Sequence, residues 1–296
     1  SSGIMAGNLN GSETSWESAA HSRGHNGRRK LYLKRRSHVV HFLRYNLSLQ
    51  YLQYHQHKAE LLSKSSFYLK IEPRYVPIDE NHDAACIDIL ELVDHCRFQR
   101  VKNLGKKQAE IQLSLLTELL EHLERGREEL SWYVETCDAE TFLSRWDLIE
   151  QKVGKLCESM KALVSLRVPG NLYVKDQLVS NTALESAELP DIRLSLCTKF
   201  PLIFDRRESF AHKTWARLKW FDENQESHEE YDLHFKLLTD ESQAQAGYGR
   251  IQQFTSKVCI VRDLEPGRSY EFTVRRSNTQ MFVLEKWHDH IILKTK

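Results

Sequence analysis

Long hydrophobic runs are missing. No unbroken apolar stretch in the 296 residues exceeds four, the longest being Ala84–Ile87, Val258–Val261 and Met281–Leu284, whereas a membrane-spanning helix needs roughly 20. The first thirty residues, rich in Gly, Ser, Asn and His, lack the apolar core of a secretory signal. The expectation is a cytoplasmic protein that does not enter a membrane. An excess of one charge is missing too: 42 Lys and Arg against 41 Asp and Glu leave a formal +1, which excludes a histone-like or wholly acidic protein. The six cysteines lie no closer than ten residues apart, so no CxxC pair serves zinc or redox chemistry. Without a secretion signal they read as reduced, mostly buried thiols. For the same reason the glycosylation sequons at Asn10 and Asn46 are not expected to be used.

Glycine is sparse, at 12 residues, and neither a Gly-x-Ser-x-Gly elbow nor a glycine-rich phosphate cradle occurs. Cys96 follows His95, but adjacent residues on a helix do not face one another. Acids such as Glu118, Glu121 and Glu124 read as a solvated helix face. Three histidine spacings look metal-like: His38-Val-Val-His41, His55-Gln-His57 and His288-Asp-His290. On a helix His55 and His57 point about 200° apart. On a strand His288 and His290 share a face, yet no third ligand stands at a recognisable spacing. Neither catalysis, a metal nor a cofactor is expected.

What is present organises the chain into two halves. Residues 1–27, polar and aperiodic, read as a disordered tail. From Arg28 a run of six basic residues in nine, Arg28, Arg29, Lys30, Lys34, Arg35 and Arg36, leads into Val39, Val40, Phe42, Leu43, Leu47, Tyr51 and Leu52. Their three- and four-residue spacing predicts one amphipathic helix reaching about Lys64. Pro73 and Pro77 bracket an extended segment. A second helix is expected from near Asp83, with Ile87, Leu90 and Val93 on one side, ending at Asn103-Leu104-Gly105. A third runs from Lys106 to about Val134 with a core-facing stripe of Ile111, Leu115, Leu116, Leu119, Leu120 and Leu123. A turn at 136–138, with Asp138 or Thr136 as N-cap, then opens a helix over 139–166. On it Phe142, Trp146, Ile149, Val153, Leu156, Met160 and Leu163 are spaced 4, 3, 4, 3, 4, 3. That period makes one seam, read as intramolecular core ahead of a dimerising coiled coil. The short connection forces an antiparallel hairpin, and Pro169-Gly170 ends it. The helical bundle thus covers 28–170, and 171–189 is a connector.

After Pro190 the period becomes two. Residues 192–196, 215–220, 231–237 and 270–274 alternate, which argues an all-β sandwich over 190–296. The stretch Leu264-Glu-Pro-Gly-Arg-Ser-Tyr270-Glu-Phe-Thr-Val274 resembles the E–F region of a fibronectin type III domain, with Tyr270 as its tyrosine corner. Trp220 and Tyr231 resemble that fold's two large core aromatics, and 291–295 its last strand. The fold class is therefore α+β multidomain, an antiparallel helical bundle followed by a fibronectin type III, immunoglobulin-like sandwich. Phe98-Gln99-Arg100, Ile111-Gln-Leu113, Leu119-Leu120-Glu121, Gly126-Arg127-Glu128-Glu129-Leu130, Val168-Pro169-Gly170 and residues 215–221 are similar to the vertebrate fibronectin type III domain-containing protein 11 family. This resemblance runs from about residue 40 to the end and leaves the basic run outside it. It implies an intracellular protein associated with testis or ciliated cells, and no catalytic residues.

The basic segment is the candidate site. Residues 28–64 hold nine Lys or Arg and one acid, a local +8 that leaves −7 elsewhere. Such a segment can dock an acidic protein surface, a microtubule for example, or bind nucleic acid with Tyr32, Tyr45, Tyr51 and Tyr54 stacking on bases; a solvated face is the third reading. The leading expectation is a non-catalytic interaction or scaffolding protein of the cytoplasm, cilium or flagellum, with protein partners. Nucleic acid is the runner-up, disfavoured because no recognised nucleic-acid module accompanies the charge.

Overall fold

A computed structural model of the chain describes residues 12–77, 85–166, 191–224, 229–239 and 249–296, with the backbone alone over 12–23. The helices are α1 (Ser12–His41), α2 (Leu49–Lys64), α3 (Ile89–Leu92), α4 (His95–Thr136), α5 (Ala139–Ser144) and α6 (Trp146–Ser165). They fall into two compact units: residues 1–58 with 115–166, and residues 59–114 with 167–296. The expected connector and the Pro169-Gly170 stop lie outside the described residues.

The first unit is all helical. Helix α1 begins at Ser12, so residues 12–27 are helical where a disordered tail was expected. A helix polar nearly all round gives no apolar period to read. Nor does one helix continue to Lys64: α1 passes into a π turn over Phe42–Asn46, and α2 starts at Leu49. The Leu47 amide donates to the Phe42 carbonyl at 2.9 Å and buries Leu47, while the Ser48 hydroxyl accepts from the Tyr51 amide at 3.0 Å. The freed carbonyls of Leu47 and Leu43 accept from Arg127 at 2.9 and 3.2 Å. One guanidinium therefore satisfies a helix end that burial would otherwise leave orphaned.

The α4–α6 hairpin follows the expected antiparallel path. The Asp138 carboxylate caps α5 by accepting from the Thr141 amide at 2.8 Å. A one-residue break at Arg145 separates α5 from α6, where a single helix was expected. The heptad seam holds: Phe142, Ile149, Leu156 and Leu163 are buried and Trp146, Val153 and Met160 half-buried. On α4, Leu120 and Leu123 are buried as expected, but Ile111 and Leu115 are 60% and 45% exposed.

The second unit contains strands inside the span expected to be purely helical. These are β1 (Ser66–Glu72), β2 (Tyr75–Pro77) and β3 (Cys86–Asp88). Ile87 thus sits on a strand rather than a helix, paired opposite Val76. Asp88 holds this corner through Arg74 at 2.7 and 3.1 Å and caps α3 by accepting from the Leu90 amide at 3.0 Å. Helix α4 runs unbroken through Gly105, which was expected to end a helix. A Cβ there would lie 3.3 Å from Leu69 and 3.4 Å from Val283. The glycine serves close packing of helix on sheet.

The sandwich consists of β5 (Ile203–Phe204), β6 (Phe210–Ala211), β7 (Ala216–Phe221), β8 (Tyr231–Leu238), β9 (Arg250–Phe254), β10 (Val258–Val261), β11 (Ser269–Arg276) and β13 (His290–Lys294). One sheet is ordered β10-β7-β5 with β6 also on β7, the other β13-β11-β8-β9. Trp220 and Tyr231 meet edge-on at 5.5 Å in its core. The Glu265 amide donates to the Tyr270 hydroxyl at 2.7 Å, the tyrosine corner, and Gly267 takes a positive φ of 69° in the turn between. The first expected strand is placed differently. β4 (Arg193–Lys199) belongs to a separate sheet ordered β12-β1-β4, where β12 is Phe282–Leu284 in the connection between β11 and β13.

Gly126 and Gly154 give opposite stability tests. A Cβ on Gly126 would press on Leu156 (Cδ1 at 2.9 Å, Cγ at 3.1 Å), whereas Gly154 has nothing within 4 Å. Gly154→Ala is expected to stabilise by about 0.5–1 kcal/mol from helix propensity. Gly126→Ala should lose about 1 kcal/mol net, because overpacking costs about 1–3 kcal/mol against that same gain. Urea unfolding of the two variants checks the pair, and equal stabilisation by both would show that α4 and α6 do not pack this closely.

Candidate functional site

Helix α1 carries the basic run, and packing divides it. On one face, Tyr32 meets Phe142 edge-on at 5.4 Å, Arg35 lies 5.0 Å above the Trp146 ring, and Val39 is fully buried. Arg36 donates from Nε to the Val134 carbonyl at 3.4 Å, in the last turn of α4. Arg28 reaches the Glu140 carboxylate with Nε at 3.3 Å and a terminal nitrogen at 2.9 Å. Residues 28, 32, 35, 36 and 39 follow the helical period, so one stripe anchors α1 to the α4–α6 hairpin. The Arg28 pair is open to solvent on both sides and contributes less than about 1 kcal/mol. The apolar and stacked contacts of Tyr32, Arg35 and Val39 contribute more.

Lys30 and Lys34 face the other way, and Arg29 stands at the edge of the anchoring stripe, about 20° round the helix from Arg36. All three are exposed, and among the described residues none has an ion-pair or hydrogen-bond partner. Leu33 is exposed between them. The structure thus brings the six residues onto one helix but leaves three free. The tyrosine series is divided too: Tyr32 is packed on Phe142 and Tyr51 is half-buried, leaving Tyr45 and Tyr54 exposed, the latter under Lys58 at 5.0 Å. A continuous stacking platform for unpaired bases does not form.

The histidine pairs do not assemble a metal centre. Among the described residues no group of three His, Cys, Asp or Glu side chains is placed to hold an ion. His55 packs against Tyr51, ring centroids 4.4 Å apart and the planes tilted by 54°. Asp289, between His288 and His290, turns inward, accepts from the Phe204 amide at 2.8 Å and pairs with Arg206 at 2.8 and 3.1 Å. His290 Nδ1 shares a hydrogen bond with the Thr273 hydroxyl at 2.8 Å, and His288 lies 3.4 Å from Glu285.

Sequence reasoning missed a buried ionic network in the sandwich. Asp222 accepts from Tyr231 at 2.7 Å, from Arg276 at 3.0 Å and from the Asn224 amide at 3.1 Å. Arg276 also donates to the Phe200 carbonyl at 2.9 Å, and Glu229 pairs with Lys199. Burial pushes the Asp222 carboxyl up, but its hydrogen bonds and the Arg276 charge outweigh that and hold it below its ordinary range. Charges this well matched are structural. No local spacing announces them, because Asp222 and Arg276 are 54 residues apart.

Comparison with known proteins fits this layout. Residues 25–194 match the N-terminal domain of a family of unknown function (DUF5581), and residues 199–296 match that family's Fn3-like domain. Fibronectin type III domain-containing protein 11 of Bos taurus is 37% identical over 269 residues, covering 90% of this chain and 80% of the relative. The Homo sapiens protein is 37% identical over the same length and is 84% covered. The chain belongs to the fibronectin type III domain-containing protein 11 family. Family membership and the Fn3-like domain point to a protein-interaction role.

The N-terminal domain starts at residue 25, so the basic run lies within the family rather than outside it. The two family domains meet between residues 194 and 199, in β4. Solved structures also show a likeness to part of the chain. The FN5 domain of Drosophila Lar does so at 14% identity and a TM-score of 0.24, over 29% of this chain and 87% of its own. The fibronectin type-III domain of human fibronectin type III domain containing protein 3 does so at 16% and 0.24, over 33% and 85%. No helix of the described residues is long and apolar enough to cross a membrane.

His288 makes the second unit acid-sensitive. Burial first, then the charges of Arg275, His290 and His234, lower its pKa to about 4. The unfolded chain binds this proton near pH 6.5, above the folded protein, so stability falls as pH drops from about 6.5 to about 4, by roughly 2–3 kcal/mol. Burial raises Glu285 and opposes part of the trend. The difference between wild type and His288→Gln isolates the imidazole: the variant's denaturation midpoint should fall less over that window, and parallel curves would count against a neutral, buried His288.

Proposed function

We propose that the protein is a non-catalytic interaction or scaffolding protein that docks an acidic protein surface through the outward face of α1. The division of the basic run carries this reading. Arg28, Arg35, Arg36 and Tyr32 hold the helix to the hairpin, while Arg29, Lys30 and Lys34 stand exposed and without partners among the described residues. Anchored cations are part of the fold. Free cations on a helix whose backbone is already held are pre-organised, so little ordering entropy opposes a contact made there. Their Coulomb attraction is screened over about 8–10 Å at physiological salt, so the contact is salt-sensitive. The family's resemblance-based link to ciliated cells and testis gives a narrower version, in which the acidic surface is the tubulin tails of an axoneme.

Microtubule co-sedimentation at low salt tests both versions. Wild type should pellet with intact microtubules, and less with microtubules stripped of their acidic tails. Arg29→Glu/Lys30→Glu/Lys34→Glu should stay in the supernatant with folding stability unchanged within about 0.5 kcal/mol. Failure of wild type to pellet, or to label cilia or flagella, removes the axonemal version. Tight, steeply salt-dependent binding of single-stranded oligonucleotide, lost in the triple variant, would replace the protein-docking reading with a nucleic-acid one.

A further inference from the structure

The first unit holds a cleft that no residue of the basic run lines. It lies between α4 and α6, has a volume of about 310 Å³, and is lined by His122, Arg125, Gly126, Glu129, Lys152, Lys155 and Leu156. Its floor is the Leu156 side chain under the bare backbone of Gly126. Three obligate cations line it against one acid. Glu129 is paired with Lys152, whereas Arg125 and Lys155, on facing helices, have no partner among the described residues. An ion pair that merely tied the hairpin together would be satisfied by Glu129 and Lys152. The remaining two like charges repel across an apolar floor, and low-dielectric walls concentrate the positive potential in the cleft.

Beyond the cleft lining, toward the hairpin turn, the same two helices each carry an exposed apolar residue. One helical turn past Glu129 on α4 is Trp132, 53% exposed, and one turn before Lys152 on α6 is Leu148, 48% exposed. The antiparallel contacts Gly126–Leu156 and Glu129–Lys152 set the register, so both side chains stand toward the turn. From His122 to Trp132 the rise is about 15 Å, the span of about four or five extended residues.

We infer that the α4–α6 cleft binds a short acidic peptide segment of a partner, its carboxylates on Arg125 and Lys155 and an apolar side chain on Trp132 and Leu148. A lone small oxyanion would leave the apolar end unused. A phosphate chain running the length of the cleft would meet Glu129 midway. This surface is separate from the α1 face and does not rest on its role.

Fluorescence anisotropy of the full chain with a labelled Glu-Glu-Asp-Leu-Phe peptide, and its Gln-Gln-Asn-Leu-Phe counterpart, tests the inference. The acidic peptide should bind at least about tenfold more tightly. Arg125→Glu/Lys155→Glu should abolish that binding without lowering the melting temperature, while Arg125→Lys/Lys155→Arg retains it. Trp132→Ala should weaken it about tenfold with the salt dependence unchanged. The α1 triple reversal, on residues that do not line the cleft, should leave it within about twofold. Equal binding of the amide peptide, or survival of binding in Arg125→Glu/Lys155→Glu, would overturn the inference. Loss of binding in the α1 variant instead would assign the peptide to α1, and displacement of the peptide by oligonucleotide at lower concentration would assign the cleft to nucleic acid.

Discussion

Strand β1 is paired on both edges, and the second unit depends on that. All seven of its residues stand opposite β4, Ser66 against Lys199 through Glu72 against Arg193. Its other edge takes Phe282 and Leu284 of β12, with a bulge between Phe67 and Tyr68. Phe67, Leu69 and Ile71 turn their side chains into a core shared with Phe98 and Val101 of α4 and Leu196 of β4. The two ladders join three distant stretches of chain. Residues 66–72 meet the approach to the sandwich on one side and the β11–β13 connection on the other. Closing loops of that length is costly before the contacts repay it, and a strand with both neighbours so far away has no local alternative. The close approach at Gly105 follows from this sheet, since α4 must lie flat on Leu69 and Val283.

That long-range pairing also explains what the sequence could not show. Alternation over 192–196 identifies a strand correctly but says nothing of its neighbour, and only β1 decides that β4 lies outside the sandwich. Asn103-Leu104-Gly105 has the composition of a helix stop. Its glycine is used for packing against Leu69 and Val283, and α4 continues through it. What was legible was local or strictly periodic. The tyrosine corner needs only Glu265 to Tyr270, and the seam from Phe142 to Leu163 needs only its spacing. Ile111 and Leu115 misled because a stripe of leucines wider than the surface it meets has residues left over.

The candidate surfaces divide in the same way. The charge of residues 28–36 is plain from composition, but which cations are free depends on Phe142, Trp146 and Val134, each more than 95 residues further along the chain. The cleft is less legible still. Arg125 and Lys155 are ordinary residues of ordinary helices, and their convergence needs the turn at Asp138 and the close packing at Gly126.

The sandwich adds a constraint on where recognition can occur. Binding by this fold often uses the loops clustered at one end, but fold analogy alone does not locate a site. Here the β11–β13 connection is consumed: the Leu69 amide donates to the Met281 carbonyl and Lys102 to the Gln280 carbonyl, both at 2.9 Å. A loop held by a sheet and a helix is not free to close on a partner. The outer faces of its two sheets differ in kind, and the first is partly covered, with Thr273 buried. On one, Thr273 stands between His290 and His234, and Arg275 opposite Asp232. On the other, Phe210 and Ile260 flank Arg217, and Ile203 stands beside Phe221. Arg217 and Lys219 on that second face are already paired with Glu208 and Asp205. Cations without a partner among the described residues also stand on α1 and in the α4–α6 cleft, so a charge-selected contact of the proposed kind does not require the sandwich.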